Sequence, residues 1–126
     1  MNETTWNDQF RTRTKQLAVA IIKAYSSWKK SDEIYIIGKQ LLRSSTSVAA
    51  NYRAVCRARS DRERYAKLCI VVEEADETQF WLEVLIESDL IKAEVLTNIC
   101  KETDEIVRVM GTYKFRLEKN LNDKKI

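Results

Sequence analysis

Three groups of side chains in this sequence have types and spacings that could do chemistry. The first is a polar row, Arg43, Ser47 and Asn51, at four-residue steps on one face of a helix. A guanidinium set among small residues can pair with a carboxylate of the Glu73–Glu77 group on the next helix, bidentately where geometry allows. Glu73 and Glu77, one helical turn apart, join Arg43, Ser47 and Asn51 as the candidate structural or interface polar residues. Such a pair can fix helix register, hold a subunit contact, or line a ligand site.

The second group is basic: Arg53, Arg57, Arg59, Arg62, Arg64 and Lys67, around a turn near residue 60. Brought together at one tip, these charges would bind phosphates without reading sequence, and the binding would weaken steeply with salt. The competing reading is a solvated tip with local ion pairs to Asp61 and Glu63. No recognition-helix or single-strand stacking pattern stands out along the chain. The third group is apolar. Ile70, Phe80, Trp81 and Val84 fall off the core stripe of their helix, so that helix is apolar over more of its girth than one bundle needs. Left open, they would form a patch suited to self-association; a splayed bundle would instead bury them.

Catalysis finds little support. The chain has no histidine, hence neither the commonest general base nor the Glu-x-x-His half of a di-metal bundle site. It contains no CxxC, no glycine-rich phosphate loop and no nucleophile elbow. Glu73, Glu74, Asp76 and Glu77 cluster in sequence, but a helix turns them in several directions. The expectation is a non-enzyme with no cofactor, no metal and no small-molecule substrate.

The elements that must position these groups are helices. Proline is absent and glycine occurs only at 38 and 111, so almost nothing interrupts a helix over 126 residues. A first helix is expected over about 5–30, with Phe10, Thr14, Leu17, Ile21, Ala24 or Tyr25, and Trp28 on its apolar stripe. A second over about 32–58 carries Ile34, Gly38, Leu41, Ser45, Val48, Tyr52 and Val55, a heptad-like seam narrow enough in its middle for close helix approach. Ser60 and Glu63 form a plausible capping box for a third, 61–87, with Tyr65, Leu68, Val72, Ala75, Gln79, Leu82 and Ile86 as its seam. After a break at Ser88–Ile91, a fourth over about 92–120 presents Val95 or Leu96, then Ile99, Thr103, Ile106, Met110, Tyr113 and Leu117. Four such helices with short connections make one all-α domain spanning 1–126, an up-down-up-down four-helix bundle.

Charge is segregated within the net +3. Residues 39–67 hold eight Lys/Arg against two acids, whereas 73–105 hold eleven acids against two lysines. No apolar run reaches the length of a membrane span, and MNETTWNDQF lacks the basic flank and apolar core of a signal peptide. Three widely spaced cysteines in helical patterns read as reduced packing residues of a cytoplasmic protein.

Two stretches carry a family resemblance. Arg43, Ser44, Ser45, Ser47, Val48 and Asn51 match an arginine, small residues, serine, an aliphatic and asparagine; EADETQFWLEVL, Glu74–Leu85, matches an acidic run followed by an aromatic pair and a leucine-rich segment. In both, the chain resembles the four-helix-bundle proteins encoded by intervening sequences in bacterial 23S rRNA genes. That family has relatives in the accessory variability protein of diversity-generating retroelements. The chain departs from the common pattern at Leu42, where many members have a second arginine, at Ala49, where many have proline, and from Tyr52 to Val55. The resemblance implies a homo-oligomer, a ring-like pentamer, associating with RNA, DNA or a nucleic-acid enzyme such as a reverse transcriptase.

Overall fold

The computed structural model describes residues 3–124, all in helices or the short segments joining them. Helix α1 spans Glu3–Ser27, α2 Asp32–Cys56, α3 Asp61–Glu87 and α4 Thr97–Asp123, with a 3₁₀ turn over Ala93–Leu96 leading into α4. Each helix packs on its sequence neighbour, and α1 closes the ring against α4 along a narrower seam than any sequential pair. Short connections reverse the chain each time, giving the up-down-up-down order.

Local chemistry fixes the ends. Helix α1 stops at Ser27, short of residue 30. There the Lys30 ammonium donates to the carbonyls of Tyr25 and Trp28, both at 2.6 Å, and so takes over acceptors that another turn of helix would have used. Ser31 and Ser60 cap α2 and α3, their hydroxyls accepting from the N–H groups of Ile34 at 3.2 Å and Glu63 at 3.1 Å. The break after α3 turns on Asp89, whose φ of 61° is left-handed. Leu90 N–H returns to Leu85 C=O and Asp89 N–H to Ile86 C=O, closing the helix end in the Schellman manner. The chain then extends through Lys92 and takes the 3₁₀ turn, so α4 begins later than residue 92.

Every residue of the α2 seam is buried, and Leu41, Tyr52 and Val55 are fully enclosed. The α3 seam differs from expectation. Leu68, Ala75 and Leu82 are buried, but the residues completing it are Val71, Thr78 and Leu85, each one position before Val72, Gln79 and Ile86. A buried threonine is tolerated because the Thr78 hydroxyl lies 2.9 Å from Ser44 Oγ and 2.8 Å from the Glu74 carbonyl, while Ser44 donates to Leu41 C=O. The small residues of α2 that face α3 therefore meet a matching hydroxyl. The indole N–H of Trp28 is a buried donor with no partner among the described residues.

Between α1 and α4 the contact is part aromatic and part ionic. Trp6 meets Tyr113 edge-on with ring centroids 5.4 Å apart. Two turns further along α1, Arg13 grips Glu102 through two nitrogens at 3.0 and 2.6 Å and reaches Glu105 at 3.2 Å. These carboxylates hold the guanidinium firmly protonated, with its pKa raised chiefly by the Glu102 hydrogen bonds.

Candidate functional site

Arg43 projects from α2 toward α3 and bridges two carboxylates, Glu74 at 3.2 Å through Nη1 and Glu77 through Nη2. The turn at 57–60 is short, so the middles of α2 and α3 must face each other, which brings these groups together. The fork is split between two acids rather than bidentate to one. Glu73 points into solvent, and Glu74 occupies the place beside Glu77 that the sequence reading gave to Glu73. Glu77 also accepts from the Trp81 indole at 3.2 Å. The Arg43 hydrogen bond and then the Trp81 bond hold its carboxyl below the usual range. Asn51 donates to the Ser47 carbonyl at 2.9 Å and hydroxyl at 3.1 Å, so this part of the row is closed within its own helix.

Ile70 and Phe80 lie exposed on the outer side of α3, 37% and 51% accessible, while Trp81 and Val84 are half-buried. Phe80 and Trp81 contact edge-to-face at 4.9 Å. Ile36 of α2, 67% accessible, was not singled out from the sequence. Ser44 faces Thr78 across an antiparallel pair, so Ile36, two turns before Ser44, lies level with the turn of α3 that holds Val84. Its signal in the sequence, an apolar residue off the α2 seam, was of the same kind that marked Phe80.

The basic residues divide rather than forming one cluster. Arg53 and Arg57 look toward α1, where with Arg11, Thr12 and Lys15 they line a polar depression of about 360 Å³. Arg62 lines a different recess, of about 500 Å³, with Tyr65, Glu118, Leu121, Asn122 and Lys124 against α4. Arg64 is taken by Asp61 at 2.6 Å, and Lys124 bonds the other oxygen of Asp61 at 2.8 Å. Arg59 is exposed and Lys67 half-buried, neither making an ion pair among the described residues. Arg11 and Lys15, at the other end of the chain, carried no signal by spacing to the turn near residue 60, yet the bundle places them beside Arg53 and Arg57.

Other reactive groups are confined to packing. The Tyr52 phenol, fully buried, donates to Asn7 Oδ1 at 3.1 Å, and burial raises its pKa well above the usual phenol. Burial likewise pushes up the thiols of Cys56 and Cys100; all three cysteines are free. Among the described residues no three acids or thiols gather closely enough to hold a metal ion. No helix among them is long and apolar enough to cross a membrane.

Fold and surface together define an antiparallel four-helix bundle whose polar constellations are ion pairs and basic recesses. The model of the 23S rRNA-intervening sequence protein family matches residues 8–112, and the chain belongs to that family. A crystal structure of a protein with unknown function from the S23 ribosomal protein family, from Bacteroides thetaiotaomicron VPI-5482, is 30% identical. The match covers 86% of this chain and 96% of that one, with a TM-score of 0.78. No curated protein matches the chain.

Proposed function

We propose that this protein is a non-catalytic, oligomeric adaptor that binds nucleic acid, or a nucleic-acid-processing partner, through the basic end of the bundle. The observation carrying this reading is the depression between α1 and α2, lined by four cations of which, among the described residues, only Arg11 is offset, by Asp8 at 2.8 Å. Unneutralised cations lining one depression repel one another, and phosphates relieve that repulsion while releasing their own counterions. The test is binding of a structured RNA at two salt concentrations, followed by light scattering after size exclusion. Arg53→Glu with Arg57→Glu should weaken binding at least about ten-fold and flatten its salt dependence. Equal binding by this variant and the parent would sink the reading.

A second reading, a protein-interaction module without nucleic acid, is favoured by the exposed apolar residues Ile36 of α2 and Ile70 and Phe80 of α3. In both readings these residues are where copies meet through α2 and α3, in the ring of five that the family resemblance implies. Phe80→Glu should then convert the assembly to monomers of unchanged helix content. An oligomer indifferent to RNA selects the second reading, and a monomeric parent protein removes the assembly from both.

A further inference from the structure

The bundle brings together an aromatic cleft that the chain order conceals. Trp6 at the start of α1 and Val109 and Tyr113 on α4 form the largely apolar walls of a cavity of about 450 Å³, within the usual range of ligand sites. Arg108 and Arg116 stand at its rim, and neither makes an ion pair among the described residues. Phe115, 67% exposed, lies seven residues after Arg108 and so on the same face of α4. Aromatic walls take a flat ring, and unpaired guanidiniums at the lip take an anion attached to it. A nucleotide unit has both parts.

We infer that this cleft receives an unstacked base of single-stranded nucleic acid, with the adjoining phosphate on Arg108 and Arg116 and the neighbouring base on Phe115. The inference rests on the reading of the basic end as a nucleic-acid surface and gives that surface its substrate class. In duplex the base is stacked and paired, so its flat face is not available to Trp6; in a single strand it is. The cleft and the Arg11–Arg53–Arg57 depression lie on either side of the N-terminal turns of α1, so one strand can cross from one to the other.

The test uses the full chain carrying Trp28→Phe and Trp81→Phe, which leaves Trp6 as the one tryptophan of three. Its emission is followed while short oligothymidylate, the same backbone with abasic sites, and a duplex of equal length are added in turn. Oligothymidylate should quench Trp6 and bind at least about ten-fold tighter than the abasic strand, the scale of one base stacked on an aromatic ring. Thr112→Leu, at the mouth of the cleft on an exposed turn, should remove that advantage and leave abasic binding unchanged. Equal binding of all three probes with Trp6 emission unmoved overturns the inference while the basic-end reading stands. Binding of none of them overturns both. Quenching by 2-naphthoate but by no strand assigns the cleft to a small aromatic anion and also overturns the inference.

Discussion

The ring of Tyr25 covers Gly38 so closely that a β-carbon built there would lie 2.2 Å from Tyr25 Cε2 and 2.6 Å from Cδ2. Glycine inside a helix normally costs about 1 kcal/mol against alanine. Here its absent side chain lets α1 and α2 approach, and the Lys30 ammonium, 4.4 Å from the Tyr25 ring centre, helps to hold that ring.

Gly38→Ala should therefore destabilise the protein by about 1–3 kcal/mol, because the tyrosine must leave its seat. Gly111→Ala, where an added β-carbon meets nothing within 4 Å, should stabilise by about 1 kcal/mol. Thermal unfolding of the two variants checks both signs, and a shared sign would remove the packing argument.

Ser44 and Thr78 share a hydrogen bond in the core between α2 and α3. Ser44→Ala and Thr78→Val should each cost about 1 kcal/mol, the net worth of one buried hydrogen bond. Together they should cost less than their sum, since the second removes a group already without its partner. A double-mutant cycle by urea unfolding reads the coupling directly, and strict additivity would show that the two hydroxyls act apart.

Acid should loosen the α2–α3 contact. The Glu77 carboxyl is held below its usual 4.5 by Arg43 first and Trp81 second, so around that pH the unfolded chain binds more protons than the folded one. The resulting stabilisation is complete above pH 4.5 and is lost as pH falls through the lower, folded value. Arg43→Met should shallow the fall in urea midpoint between neutral pH and about pH 3. Parallel acid limbs in parent and variant would contradict it.

Asp89 holds a left-handed conformation that favours glycine. Asp89→Gly should raise stability by up to about 1 kcal/mol with the α3 boundary unchanged, because the hydrogen bonds to Leu85 and Ile86 are made by backbone. Urea midpoints compare the two proteins, and destabilisation would point to a contact of the Asp89 carboxylate that outweighs its backbone strain.

How much was legible follows the range of each interaction. The α2 seam could be read because its alternating steps of four and three run unbroken from Ile34 to Val55, which fixes the choice even at the adjacent pair Leu41-Leu42. In α3 the adjacent pairs Val71-Val72 and Leu85-Ile86 leave the period free to slip by one, and buried Thr78 reads as polar, so the seam was set one residue late. Arg43 and its carboxylates were legible because one short turn joins their helices; only the choice of Glu74 over Glu73 depended on rotation about the α3 axis. The meetings of Arg11 with Arg53 and Arg57, and of Trp6 with Tyr113, join distant parts of the chain. No local spacing encodes them, and the single-strand aromatic pattern absent from the linear sequence exists only once α1 lies against α4.

That last contact also sets the order in which the molecule can assemble. Three helical hairpins form between neighbours in sequence, each closing a short loop, and such local topology folds quickly. The α1–α4 seam instead joins residues such as Arg13 and Glu102, 89 positions apart, and has the narrowest area to reward that closure. It is therefore the seam expected to close last and open first, and native-state hydrogen exchange of the α1 amides should then show an opening of lower free energy than global unfolding. Both the aromatic cleft and the α1 side of the basic depression share that opening.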